Sequence, residues 1–193
     1  MNTSIPALGE DQNQSSGTQL PALTITPTHY PCCCLSLSTL LINQTTLLLP
    51  TAPQTVLSIG SGTGLFEAYL LAHSPTLDLA GIEVCSSPPI NKYLPEQHTS
   101  TVAGTWDITP LSRTATTWIF VYPRSPHLVT AYLQQPHAQE NLTTILWFGP
   151  KADWSEFEPC FNASALHRIE VLADAALSPY EVMVIAKKPK PAY

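Results

Sequence analysis

Short apolar runs alternate with longer mixed segments through the centre of the chain. Runs rich in Val, Ile, Leu and Phe predict buried strands at residues 55–59, 77–83, 100–103, 117–121 and 142–148. Between them, residues 64–72 and 125–135 combine apolar and polar positions at a helical period and predict two helices. Such alternation is typical of a parallel β-sheet covered by helices.

The two ends of the chain differ from this centre. Residues 166–172 and 181–186 are β-prone runs joined by an Ala-Ser-Pro sequence, which predicts a terminal antiparallel pair. Leucines within residues 31–46 indicate a short helix. Residues 1–27 are rich in Pro, Ser, Thr, Gln and Asn and show no apolar period. We therefore expect a disordered arm at 1–27, removable with little loss of stability, and a single domain at 28–193.

Composition fits one globular domain and excludes several classes of partner. The 193 residues are 44% hydrophobic and carry a net charge of -6. Apart from three lysines near the end, basic residues are scattered along the chain. The sequence therefore indicates no basic patch that would bind nucleic acid. Polar residues 43–46 interrupt the apolar run at 32–49, so the continuous apolar stretch is too short to span a membrane. The first residues lack the pattern of a secretory signal, so we expect a cytoplasmic location.

Five cysteines form no paired framework and match no Cys-x-x-Cys spacing. Three of them, Cys32, Cys33 and Cys34, are consecutive, and neighbouring side chains of a helix point too far apart to converge on one metal ion. Buried, reduced cysteines are the simpler interpretation, so we expect no metal site.

The most informative motif is VLSIGSGTG at residues 56–64, in which a predicted strand runs into a turn and then a helix. Glycines at Gly60, Gly62 and Gly64 permit positive φ and let a ligand approach the bare backbone. A dinucleotide fingerprint would place the third glycine one residue later, where Leu65 stands, and no Gly-Lys-Ser/Thr ending marks a phosphate loop. A purely structural turn remains the alternative for so short a motif.

An acidic residue, Glu83, ends the next predicted strand, nineteen residues beyond Gly64. A carboxylate at this place can accept hydrogen bonds from both hydroxyls of a ribose, as in dinucleotide-binding folds. The alternative is a solvated glutamate at a strand end. The upstream glycine turn favours the ribose-binding interpretation.

VLSIGSGTG followed by GIEV resembles motif I and the acidic strand end of the class I S-adenosylmethionine-dependent methyltransferases, over about residues 50–190. The resemblance implies a Rossmann-like, seven-stranded, mostly parallel sheet with a terminal antiparallel pair and helices on both faces. It also implies S-adenosylmethionine as cofactor, bound by Gly60, Ser61, Gly62, Gly64 and Glu83. The chain departs from the family at Ser58, where many members have an acidic residue that helps position the methionine end. Beside the adenine it has Thr105 and Trp106 instead of the usual acid or amide; Trp106 could stack on the base or pack in the core.

Candidate catalytic residues follow the strand predicted at 117–121. Ligands of such sheets collect beyond the carboxyl ends of the strands, which places Tyr122, Arg124 and His127 near the reacting groups. Methyl transfer requires that the methyl donor and the acceptor are aligned, and it also requires a base when the acceptor atom carries a proton. His127 and His29 are the candidate bases, Tyr122 would line the pocket and Arg124 would hold an acidic group. His29 and Tyr30 could also close over the pocket. Surface, core-edge and linker roles are the alternatives for these residues.

The function that these residues favour is methyl transfer to a small molecule. The segment after the same strand lacks the Asn/Asp-Pro-Pro-Tyr/Phe motif with which some family members grip an amino group, which weakens nucleobase and glutamine substrates. Two alternatives keep the fold: a non-methylating catalyst such as a cyclase in a natural-product pathway, and a non-catalytic binding subunit. The substrate, the accepting atom and the oligomeric state stay open.

Overall fold

The computed structural model describes residues 18–166, 168–173 and 176–189. Its strands are β1 (Thr28–Tyr30), β2 (Cys33–Leu37), β3 (Thr55–Ile59), β4 (Asp78–Val84), β5 (Thr99–Val102), β6 (Thr117–Val121), β7 (Thr144–Pro150), β8 (Arg168–Leu172) and β9 (Glu181–Lys187). Its helices are α1 (Thr39–Leu48), α2 (Leu65–His73), α3 (Pro126–Leu133), α4 (Pro136–Glu140) and α5 (Trp154–Asn162), with two short 3-10 turns at Glu96–His98 and Pro110–Arg113.

Seven strands form the main sheet in the order β5-β4-β3-β6-β7-β9-β8. β3 pairs in parallel with both β4 and β6, and the parallel pairing continues outward to β5 and β7. β9 lies antiparallel between β7 and β8. The predicted fold class, a mostly parallel seven-stranded sheet with a terminal antiparallel pair, is therefore confirmed. The strand order reverses at β3, between β4 and β6, and this is where a ligand cleft is expected.

The core lies on both faces of the sheet because successive side chains of each buried strand point to opposite sides. Along β7, Ile145 and Trp147 join one cluster with side chains of α3 and α5, whereas Leu146 and Phe148 join the other with side chains of α1 and α2. Helices cover both faces, as the sequence predicts.

The helix predicted at 31–46 is wrong in its first half. Residues 33–37 form β2, which pairs antiparallel with β1, and the helix begins only at Thr39. The Ser38 side chain accepts a hydrogen bond from the Leu41 N–H (3.0 Å) and so caps this helix start. Leucines at alternate positions 35 and 37 face the core from a strand, a pattern masked by the leucines of the helix that follows. Helices α4 and α5 were not predicted either.

Residues 18–27 contain no helix or strand, yet they lie against the core. Leu20 and Leu23 are half-buried beside the cluster around α1 and α2. The Tyr69 hydroxyl donates to the Pro21 carbonyl, and the Thr39 N–H donates to the Thr24 carbonyl (2.9 Å). The remainder of the predicted arm, 1–17, lies outside the described residues. Within the described ranges no helix is both long and apolar enough to cross a membrane.

Candidate functional site

A cleft of about 400 Å³ opens beyond the carboxyl ends of β3, β4 and β6. We call it the central cavity. It contains backbone of the glycine turn, the ends of the strands and the segments that follow them: Cys34, Ile59, Gly60, Gly62, Ile82, Glu83, Val84, Ile90, Val102, Thr105, Asp107, Val121, Tyr122, Pro123, Arg124, Leu128 and Tyr132. Its place is the point where the strand order reverses, as expected for a ligand site of this architecture.

The glycine turn gives the cavity a wall of bare backbone. Gly60, Gly62 and Gly64 all have positive φ, at 79°, 57° and 75°. A Cβ added at Gly60 or Gly62 would meet no atom within 4 Å, so both positions border open space. A Cβ at Gly64 would instead lie 2.6 Å from Asn91 Oδ1. Gly60 and Gly62 therefore leave space for a ligand, whereas Gly64 lets the side chains of Asn91 and Leu94 pack against the turn.

Glu83 faces the central cavity from the end of β4. Its Oε2 accepts the Gly62 N–H (2.7 Å), and its Oε1 accepts the Val84 N–H (2.8 Å). These bonds fix the carboxylate beside the glycine turn. Each carboxylate oxygen can accept more than one hydrogen bond, so Glu83 can still receive a pair of hydroxyl groups.

A second, smaller cavity of about 80 Å³ lies on the other side of the glycine turn. We call it the small cavity. It is lined by Cys32, Cys33, Cys34, Gly60, Ser61, Gly62, Thr63, Leu65, Phe66, Glu67 and Val121. Cys34, Gly60, Gly62 and Val121 line both cavities, which places the two side by side.

A buried carboxyl borders the small cavity. Glu67, on α2, is 1% exposed, and its Oε1 accepts the hydroxyl of Ser58 (2.6 Å). Its Oε2 is buried and has no hydrogen-bond partner in the described part of the chain. Burial raises the pKa of Glu67 to about 7, against a partial lowering by the Ser58 hydrogen bond. The sequence analysis did not identify Glu67, because acidic residues are common in the first turn of a helix.

The segment after β5 contributes one predicted residue and one that was missed. Thr105 lines the central cavity, and so does Asp107, whose Oδ2 accepts the Gly104 N–H (2.8 Å). Trp106 is 52% exposed and meets His127 edge to face, with ring centroids 5.3 Å apart. An acidic side chain that the sequence analysis missed therefore borders the central cavity at Asp107, two positions after Thr105.

Tyr122 turns the chain at the end of β6 and has a φ of 48°, in the left-handed region. Its hydroxyl donates to Oε1 of Glu181 (2.7 Å), the first residue of β9. Glu181 is fully buried and also accepts the N–H groups of Ser36 (3.0 Å) and Ser178 (3.3 Å). Burial, together with the Glu181 carboxylate, raises the pKa of Tyr122 above its ordinary value, so this hydroxyl is a neutral donor and not a base.

The other predicted catalytic residues are not all brought together. Arg124 lines the central cavity with its side chain exposed. His127 is exposed in the first turn of α3, between lining residues but outside the lining itself. His29 is exposed on β1, and Tyr30 donates its hydroxyl to the Ala22 carbonyl (2.8 Å); neither lines the two cavities. The N-terminal part of the chain reaches the cavities through Cys32–Cys34 instead.

Comparison with solved structures adds a fold identity. Similar structures include the S-adenosylmethionine-dependent methyltransferase SibL in its apo form, with 14% identity over 78% of this chain and 54% of SibL and a TM-score of 0.52. They also include precorrin-6y C5,15-methyltransferase of Geobacter metallireducens GS-15, with 10% identity over 89% of this chain and 100% of that chain and a TM-score of 0.57. The chain has the fold of the class I methyltransferases.

A third similar structure carries a ligand related to the expected cofactor. It is the plantazolicin methyltransferase BpumL in complex with a monoazolic desmethylPZN analog and SAH, with 11% identity over 77% of this chain and 82% of BpumL and a TM-score of 0.53. This chain spans about half of the length of SibL. No protein-family model matches the sequence, and no curated protein matches it. At these identities the likeness to class I methyltransferases concerns the fold.

Proposed function

We propose that this chain binds S-adenosylmethionine and transfers its methyl group to a small molecule. The observation that carries the proposal is the pair Gly60 and Gly62, whose bare backbone borders open space beside the carboxylate of Glu83, which the Gly62 N–H holds in place. A ribose in this open space would lie against backbone without side chains and would find a two-point acceptor in Glu83. The similar fold of several methyltransferases supports the same function.

The residues present fit this cofactor. Glu83 would accept the ribose hydroxyls, and Thr105 with Asp107 would border the adenine. Ser61 and the glycines would support the link to the amino-acid end, which would enter the small cavity beside Ser58. The bound cofactor would supply an electrophilic methyl group on a sulfonium. The protein would mainly hold donor and acceptor in line, because displacement at a methyl group depends on alignment.

The acceptor side of the central cavity is shaped by Cys34, Tyr122 and Arg124. Tyr122 is held by Glu181 and offers a rigid wall. Arg124 is the cation of this wall and would pair with an acidic group of the acceptor. A small anionic molecule is therefore the substrate class that we propose.

The first test is calorimetric titration with S-adenosylhomocysteine. We expect saturable binding, and we expect Glu83→Ala to weaken it by about 1.5 to 3 kcal/mol, the range for hydrogen bonds to a charged acceptor. Asp78→Ala is the matched control, since Asp78 is an exposed carboxylate at the opposite end of the same strand. Absence of binding to the wild-type chain at millimolar ligand would reject the cofactor. Equal affinities of both variants would place the ribose elsewhere.

Methyl transfer itself is tested separately from binding. Incubation with S-adenosylmethionine and candidate small acids should release S-adenosylhomocysteine. Binding without any such release would favour the alternatives that keep the fold, a non-methylating catalyst or a binding subunit.

A further inference from the structure

Glu67 is a buried carboxyl whose hydrogen bonds in the described part of the chain do not fully stabilise its charged form. A carboxyl that is 1% exposed and has one oxygen without a partner is unfavourable, because burial removes water that would otherwise solvate the charge. The Ser58 hydroxyl satisfies the other oxygen only. A ligand that carries a hydrogen-bond donor would satisfy this oxygen on binding.

The small cavity is where such a donor would enter. Among the described residues its lining contains no Lys, Arg or His, so a positive charge there would come from the ligand. At about 80 Å³ it accommodates a compact group and excludes a ring system. An ammonium is compact and offers three N–H donors.

We propose that Glu67 pairs with the α-ammonium of the amino-acid end of the bound cofactor, in place of an acidic residue on β3. This assignment rests on the proposed function. In the resembling family an acidic residue often stands at the position of Ser58 and helps position the methionine end. Here the Ser58 hydroxyl instead donates to Glu67 at 2.6 Å, so a carboxylate carried by α2 lies in direct contact with the side chain at position 58.

The neighbouring titratable groups do not compete for this role. Cys33, on β2, is a neutral thiol because burial, with the charge of Glu67, raises its pKa to about 12. Glu83, on β4, already accepts two backbone N–H groups and faces the central cavity. The charge of Glu83 acts on Glu67 only by adding to the rise of its pKa.

Because the pKa of Glu67 lies near neutrality, we expect the affinity for the ligand to depend on pH. Below about pH 7 the free protein holds a proton on Glu67. An ammonium beside the carboxyl favours its charged form, so binding releases that proton. Affinity for the amino-acid-bearing ligand should therefore rise as the pH increases from about 5.5 to 7.5 and level off above the pKa of Glu67.

The experiment compares two ligands and two proteins. S-adenosylhomocysteine carries the amino-acid end, and 5′-methylthioadenosine keeps the adenosine but lacks it. Glu67→Gln removes the charge and retains the acceptor for Ser58. We expect this variant to bind S-adenosylhomocysteine about tenfold to hundredfold more weakly and 5′-methylthioadenosine with unchanged affinity. Titrations at pH 6.5 in buffers of different ionisation enthalpy should show proton release only for wild type with S-adenosylhomocysteine.

The outcomes separate this inference from the proposed function. If wild type binds neither ligand, the proposed function fails. If wild type binds both and Glu67→Gln binds S-adenosylhomocysteine as tightly, the role of Glu67 is rejected and the function stands. Equal weakening for both ligands would also reject it, because a distorted turn affects adenosine as well. The double variant Ser58→Asp with Glu67→Ala places a carboxylate on β3 and should recover part of the affinity for S-adenosylhomocysteine that Glu67→Ala loses. If the double variant binds no more tightly than Glu67→Ala alone, the idea that Glu67 replaces an acidic residue at position 58 is contradicted.

Discussion

His127 is the histidine best placed to act as a base, since it stands between Arg124 and Leu128 of the central cavity and packs its ring against Trp106. If a proton leaves the acceptor during methyl transfer, His127→Ala should lower turnover by about a hundredfold with cofactor affinity unchanged, because base catalysis acts in the transition state. His29→Ala is the control, as His29 lines neither cavity. Turnover is measured as S-adenosylhomocysteine formed. Full activity in both single variants and in the double variant would exclude a histidine base.

Single residues of the site were predictable where a strong local pattern fixed their place. Gly60, Gly62 and Glu83 follow directly from strands whose apolar runs are plain in the sequence, so their meeting could be expected. Glu67 and Asp107 could not be found this way. The importance of Glu67 depends on how deeply α2 packs, and that of Asp107 on the path of a loop. Neither depth nor loop path is visible in a one-dimensional pattern.

At the scale of the element, the turn between β3 and α2 has two functions that one type of substitution can separate. Alanine at φ values of 57° or 75° costs about 1 to 2 kcal/mol in either place. At position 64 the new methyl group also meets Asn91 and Leu94, which adds about 1 to 3 kcal/mol. At position 62 it enters the open space in which we propose that the ligand binds.

We therefore expect Gly64→Ala to lower the free energy of unfolding by about 2 to 5 kcal/mol, and Gly62→Ala to lower it less while weakening binding of S-adenosylhomocysteine more. Urea denaturation measures the first quantity and calorimetry the second. The reverse order of the two variants in either measurement would contradict the division of roles within the turn.

Elements with a dominant period were predicted well, and those with mixed signals were not. The bounds 55–59 and 117–121 agree with β3 and β6, because both strands are buried on two faces and begin after turn residues. The error at 31–46 arose because a strand and a helix, both rich in leucine, adjoin at Ser38. The strand is specified by pairing with β1 and by contact with Glu181, which are tertiary effects.

At the scale of the whole molecule, the boundary of the folded part is open to a direct test. A chain starting at residue 18 keeps Leu20, Leu23 and the carbonyls bonded to Tyr69 and Thr39, whereas one starting at Thr28 loses all four. We expect the shorter chain to be less stable by about 2 kcal/mol or more, from the lost apolar burial and hydrogen bonds. Parallel urea denaturation of both chains and the full-length chain measures this difference. Equal stability of the two truncated chains would instead support the sequence-based expectation of a dispensable arm at 1–27.

Glu181 has a consequence for the protein during its synthesis. Its carboxylate joins β2, the end of β6 and the start of β9, segments separated by as many as 145 positions along the chain. A ribosome-bound chain that stops before residue 181 lacks both this acceptor and the strand that fills the gap between β7 and β8. Tyr122 and β2 then lack the carboxylate that holds them in the structure, so this part of the cavity wall depends on Glu181. Any binding that depends on this wall of the central cavity therefore requires that residue 181 has already been synthesised.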